Sequence, residues 1–397
     1  MSIVYLDNNA TTRVDDEVRE AMMPYFSELY GNPSSMHSFG GQVSRSVEKA
    51  RAQIGGLIGA RPEEIVFTGC GTESDNFAII GILQANPDKK HVITTKVEHP
   101  AVKSLCEYLR ANGYHVTFMR VARDGSLNLD DLTEAINDDT ALVSIMWANN
   151  ETGVVFPVHE AARIAKSKGV PFHTDAVQAV GKVAVNVKDS PIDLLSVAGH
   201  KIHAPKGIGA LYVRKGTRIV PFLKGGHQEK GRRAGTENAA SIVGFGKACE
   251  LAAKFVGNTR IKELRDRLEN GILETVPNVY VNGSRDNRIP NTTNVSFEYV
   301  EGEAILLMLN EFGICASSGS ACTSGSLEPS HVLRAMGVPF TCSHGSIRFS
   351  LSRYTTMEEV DFTLEKLIPV IENLRAMSPF WQQYLKQGQA SFHEAKV

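Results

Sequence analysis

The stretch Leu195–Gly209, LSVAGHKIHAPKGIG, is an apolar run that closes on small residues and then presents His200 and Lys201 side by side. A lysine at the end of a buried strand loses much of its hydration, which either lowers its pKa or calls for a covalent use of the amine. Three other stretches end in groups that can do chemistry. VFTGCGTESDN reads as a strand, a glycine-rich turn around Gly71 and a helix opened by Thr72, Glu73 and Ser74. The free N–H groups of a helix start bind anions, most often phosphate. PFHTDAVQAVGK sets Asp175 at the end of an apolar run with Gln178 just beyond, and VEHPAV sets His99 before Pro100. Each has an ordinary structural use as a turn glycine, a helix cap or a hydrogen-bonded histidine. Together they supply an anion cradle, a carboxylate, an imidazole and an amine. Pyridoxal phosphate uses all four: its phosphate on the helix start, its aldehyde on Lys201 as a Schiff base, its pyridinium nitrogen against Asp175 and its ring under His99. Lys206 is the alternative amine, but HAPKGIG puts it in a Pro/Gly turn where the backbone is less tightly positioned.

A reactive thiol is the other candidate. Of the six cysteines, Cys106 and Cys249 fall in helical patterns, whereas Cys322 lies in ASSGSACTSGSLEPS, a Ser/Gly-rich run that cannot pack a core and should be mobile. At an ordinary pKa near 8.5, about 3% of such a thiol is thiolate at pH 7. Cys315, Cys342, His331 and His344 could in principle join Cys322 in a zinc site, but no metal-ligand spacing supports one, and no metal is expected.

The elements that must position these groups are legible in the periodicity. EIVFTG, HVITT, HVTFMRV, ALVSIMWA, VPFHTD, DLLSVAG and GALYVR read as strands, several without polar alternation, as expected when helices cover both faces of a sheet. AVKSLCEYLRANG, NLDDLTEAIND and HEAARIAKSKG between them have helical spacing. The pattern predicts a doubly wound, mostly parallel α/β domain over residues 15–257, with ligands beyond the carboxyl ends of its strands. A smaller α+β domain is expected from residues 1–14 and 258–397, ending in a frayed tail, QGQASFHEAKV.

The motifs LDNNATT, NPSSMHSFG, CGTESDN, WANNETG, HTDAVQAVGK, GHKIHAPKGIG, GRRAGTENAAS, SSGSACTSGSLEPSHVLRAMG and IRFSLSRYTT, in this order over almost the whole chain, resemble the NifS-type cysteine desulfurases. The nitrogen-fixation branch is the most similar in LDNNATT and TENAAS. The resemblance implies a fold-type I pyridoxal-phosphate enzyme that takes sulfur from L-cysteine, leaves L-alanine and carries the sulfur as a persulfide on Cys322. It implies catalytic roles for Lys201, His99 and Cys322, and assigns Asp175 to the pyridine nitrogen and Gln178 to the phenolic oxygen. Thr72 and His200 fall to the phosphate, with Gly71 in the same turn, Asn150 to the cofactor and substrate region, and Arg348 to the substrate carboxylate. Thr236 would reach the phosphate of a neighbouring subunit, implying a homodimer, and an iron–sulfur scaffold protein would accept the sulfur. Where many relatives have serine, this chain has Ala198, so one phosphate hydroxyl is expected to be missing. A selenocysteine lyase, another enzyme of the same fold, or a non-catalytic assembly platform are the alternatives.

Composition fits this reading. In 397 residues, 42% are hydrophobic and 22% charged, with 42 Lys plus Arg against 44 Asp plus Glu. A net charge of −2 gives no reason to expect nucleic-acid or anionic-membrane binding. Apolar runs such as AILLML are far shorter than the ~20 residues that span a bilayer, and MSIVYLDNNATT lacks the basic start of a targeting signal. A cytoplasmic protein is expected.

Overall fold

The computed structural model describes residues 3–318 and 329–387. The strands are β1 (Val4–Tyr5), β2 (Ile65–Thr68), β3 (His91–Thr95), β4 (His115–Met119), β5 (Thr140–Ser144), β6 (Phe172–Asp175), β7 (Leu194–Ala198), β8 (Gly209–Val213), β9 (Val279–Val281), β10 (Thr292–Phe297), β11 (Ile314–Cys315) and β12 (Ser346–Ser350). All seven strands read from the apolar runs join one sheet in the order β2-β8-β7-β6-β5-β3-β4.

Successive residues of a strand point to opposite faces, and here both faces are covered. Val66, Val92, Leu142, Leu194 and Leu211 pack with the helices Gly71–Ala85 and Pro100–Ala111. Their neighbours Phe67, Ile93, Val143, Leu195 and Tyr212 pack on the other side with the helices Ser38–Ile58 and Ala239–Ala253. That is why these strands show no polar alternation. Only β4, at the sheet edge, mixes exposed and buried positions.

β3, β4, β5, β6 and β7 run parallel in their pairings, and β8 is antiparallel to both β2 and β7. β2 therefore runs the same way as β7, and the carboxyl ends of β2, β3, β5, β6 and β7 share one rim. A second core lies around the antiparallel sheet β12-β10-β9, where Phe297, Ile347 and Phe349 pack with Leu268 and Leu367. β1 pairs in parallel with β11, and Val4 and Leu6 enter this second core. The amino-terminal segment thus lies against the carboxyl-terminal half. It continues into Asn8, Asn9 and Ala10 at the rim of the large sheet, where β12 also delivers Arg348.

Candidate active site

The rim holds a cavity of about 340 Å³, at the lower end of the ~300–1,000 Å³ usual for small-molecule sites. Nearly all of the sequence-predicted cofactor and substrate residues line it. Gly71 and Thr72 begin the helix Gly71–Ala85, whose first N–H groups open on the cavity. A Cβ at Gly71 would stand 3.0 Å from Val177 and 3.4 Å from Ala198, so glycine keeps the cradle close against its neighbours. Ala198 itself lines the cavity and brings no hydroxyl. His200 is held by Thr11, its Nδ1 lying 3.2 Å from Thr11 Oγ1. Burial and the adjacent Lys201 lower its pKa to about 4, so it is neutral near pH 7.

Asp175 ends β6 and is 6% exposed. One carboxylate oxygen accepts from Val177 N at 2.9 Å, so the capping use is partly realised, although no helix follows. Burial pushes its pKa up to about 6, while the Val177 N–H and the charge of Lys201 pull the other way. A cation at the cavity would restore the carboxylate. His99 caps the helix Pro100–Ala111 by accepting from Ala101 N through Nδ1 at 3.2 Å, which leaves its proton on Nε2. Burial, then Lys201, lower its pKa to about 4.

Lys201 Nζ donates to the carbonyls of Asn9 at 2.5 Å and Ala10 at 2.7 Å. Lys206 is exposed and lies outside the cavity lining. Arg348 is 3% exposed, so it is no surface arginine of an outer strand. Its guanidinium donates to Asp7 Oδ1 at 2.7 Å and to the Asn150 carbonyl at 3.0 Å, and its Nε is buried without a partner among the described residues. Asn150 Oδ1 is likewise buried and unpaired there. Orphaned polar atoms inside a lined cavity are what a polar ligand satisfies, and the donor set present fits pyridoxal phosphate: N–H groups for phosphate, an amine for the aldehyde and a carboxylate for the ring nitrogen.

Thr236 is not brought to this cavity. It borders a second hollow of about 210 Å³ with Arg233, Gly235 and Glu237. Cys322 lies outside the described residues, as does the tail from 388 onward. Both flanks of the Cys322 segment are fixed beside the cavity: Arg348 N donates to Ser317 O at 2.6 Å, and His331 Nε2 lies 2.9 Å from the Glu98 carbonyl. Ser330 Oγ donates to the buried Glu151 carboxyl group. Among the described cysteines, burial pushes Cys106 up to about 12 and raises Cys249 as well. Cys342 is buried and donates to Glu298 at 3.3 Å, and Cys315 sits half-buried on β11. Cys70 is different: it is exposed and lines the cavity next to the helix start.

Sequence reasoning missed Asn9, Asp7 and Lys182. Asn9 is 1% exposed and joins both halves of the site. Its carbonyl accepts from Lys201 and from Gln178 Nε2, and its amide donates to the Asn150 carbonyl and Thr292 while accepting from Lys182 and Asn291. The doubled asparagine in LDNNATT, following an apolar run, is the local signal that could have found it.

Comparison with known proteins gives the family. The model of the class-V aminotransferase family matches residues 4–362. The cysteine desulfurase NifS of Azotobacter vinelandii is 60% identical over 384 residues, 96% of either chain. A cysteine desulfurase of Enterobacter agglomerans is 53% identical over 385 residues, again 96% of both. Among solved structures, a NifS-like protein superposes with a TM-score of 0.88 at 38% identity, covering 94% of this chain and 100% of that one. A structure described as SspA in complex with cysteine gives 0.79 at 36% identity, over 89% and 99% of the two chains. From the rim of the sheet to the order of its motifs, the chain belongs to the class-V aminotransferase family and, within it, to the NifS-type cysteine desulfurases, fold-type I enzymes that depend on pyridoxal phosphate.

Proposed function

We propose that this chain removes sulfur from L-cysteine, releasing L-alanine and retaining the sulfur as a persulfide on Cys322. The observation that carries the reading is the meeting of Lys201, Asp175, His99 and the helix start at Gly71 around one cavity. When bound, pyridoxal phosphate supplies an electron sink for the pair released at the substrate α-carbon. Lys201 would hold the cofactor covalently, and its amine would take the α-proton. Asp175 would keep a proton on the ring nitrogen, His99 would lie against the ring, Gln178 would meet the phenolic oxygen, and Thr72 and His200 would hold the phosphate with the N–H of Gly71. Arg348 and Asn150 orient the substrate, Arg348 through its carboxylate. The Cys322 thiolate attacks the substrate sulfur. A sulfur–sulfur bond forms, the carbon–sulfur bond breaks with its electron pair left on the β-carbon, and protonation there together with return of a proton to the α-carbon completes alanine. Cys322 lies four residues beyond Ser318, a reach of up to about 14 Å of extended chain, and Ser317 is bonded to Arg348.

The same reading makes the protein a cytoplasmic homodimer that passes its sulfur to an iron–sulfur scaffold, in the service of nitrogenase maturation. Met23, Phe26, Tyr30 and Met36 are exposed within one segment, at 57%, 64%, 72% and 104%. Exposed apolar side chains of this kind suit a subunit interface. Thr236, set apart from the cavity of its own chain, is free to serve a partner's. Among the described residues, no helix is long and apolar enough to cross a membrane.

Product analysis with L-cysteine and a thiol reductant tests the reaction. Equal amounts of alanine and sulfide are expected, whereas pyruvate and ammonia with the sulfide would show elimination instead. Arg348→Lys is expected to lower kcat/KM for L-cysteine by ~10²-fold, mainly through KM, because a point charge replaces a planar fork worth about 1.5–3 kcal/mol in charged hydrogen bonds. Cofactor retention should be unchanged. An unaltered KM would place the substrate carboxylate elsewhere.

A further inference from the structure

Gln178 lines the cofactor cavity, and a glutamine amide can face it with either of two chemically opposite ends, an acceptor oxygen or a donor NH₂. The neighbours decide which. Lys182 Nζ donates to Gln178 Oε1 at 2.5 Å and to Asn9 Oδ1 at 3.0 Å. Gln178 Nε2 donates to the Asn9 carbonyl at 3.0 Å. A charged lysine has no acceptor, so only the oxygen end of either amide can lie against it. A backbone carbonyl has no donor, so the NH₂ end must turn to Asn9. One amide hydrogen of Gln178 is thereby used and the second is left for the cavity.

We propose that Lys182 is a positioning residue that locks the Gln178 amide with its NH₂ end toward the cavity, where that donor holds the phenolic oxygen of the cofactor as an anion. This rests on the assignment of Gln178 to that oxygen. Both partners of Lys182 are neutral amides, and its amine end is enclosed although the residue keeps some exposed surface. Burying an amine without a carboxylate is unfavourable, and burial with the charges of Lys201 and Arg348 holds its pKa well below the ordinary lysine value. Charged or neutral, the amine has hydrogens for both oxygens. His200 and His203, the nearby imidazoles that also feel its charge, are themselves held neutral near pH 7.

The test is a pH titration of the visible absorption of the holoenzyme. Lys182→Met frees the amide to turn its oxygen toward an anion, and the midpoint is expected to rise by ~1 pH unit, with kcat lowered more than KM is changed. Gln178→Ala should move the midpoint in the same direction, and the double variant should move it no further than Gln178→Ala alone, because the lysine acts through the glutamine. A wild-type midpoint in Lys182→Met, or shifts that add in the double variant, would overturn the proposal while the Gln178 assignment stands. A midpoint unmoved by Gln178→Ala would overturn that assignment and the proposal with it. If Lys182→Met yields no folded holoenzyme, Lys182→Gln keeps an N–H donor without the charge. It should shift the midpoint less than Gln178→Ala does, and an equal or larger shift counts against the lock.

Discussion

Lys201→Ala is expected to lose the covalent hold on the cofactor and roughly 10⁴-fold in turnover, the upper range for a positioned acid–base group. Two functions fall together, because the same amine binds the cofactor and moves the α-proton. The cavity should survive. Lys201 Nζ donates to the backbone carbonyls of Asn9 and Ala10, and Asn9 keeps its links to Gln178, Lys182, Asn291 and Thr292 without it. The phosphate cradle at Gly71 and the carboxylate of Asp175 remain, so the variant should still take up cofactor, but release it on gel filtration. Borohydride reduction of the wild type followed by peptide mapping should label Lys201. Lys182 is the demanding control, since it too is an enclosed amine beside the cavity with a lowered pKa. A label on Lys182 or Lys206 would overturn the assignment.

Cys322→Ala separates cofactor chemistry from sulfur transfer. None of the cofactor contacts assigned above uses Cys322, so the variant should bind cofactor and respond spectrally to L-cysteine. Alanine release should fall by at least ~10³-fold, because the carbon–sulfur bond breaks only when a nucleophile takes the sulfur. Selenocysteine, with its weaker carbon–selenium bond, should retain more activity. A Cys322→Ala variant that desulfurates L-cysteine normally would move the nucleophile to another thiol and leave the cofactor assignment intact.

How much of this could be read from sequence depends on whether the signal is local. The seven strands of the main sheet were legible because both faces are buried, which makes each an unbroken apolar run ended by small or polar residues. Lys201, Asp175, His99 and Thr72 were legible because a polar group at the end of such a run is out of place unless it has a use. Lys182 carries no such mark, and Asp7 and Asn9 follow a run of only four apolar residues, IVYL. Asn9 meets Lys201 across 192 residues of sequence, and its worth lies in bonds made by folding β1 against β11. Lys182 reads as a turn lysine after a glycine, and only its spacing of four from Gln178 hints at contact. The resemblance singled out Arg348, but nothing local announces its ion pair with Asp7, which the bridge between Asp7 and Ser350 sets up. β1 and β11, two residues each, are too short for periodicity to reveal.

Mass spectrometry of the reductant-free enzyme after a single turnover with L-cysteine tests the central claim most directly. Two thiols compete: Cys322 in its Ser/Gly-rich segment, and Cys70, exposed at the lip of the cavity beside the phosphate cradle. The account predicts one added sulfur atom on the peptide that contains Cys322, removable by reductant, with one alanine released per sulfur retained. The added sulfur on the peptide containing Cys70, or alanine released with no sulfur retained on the protein, would contradict it.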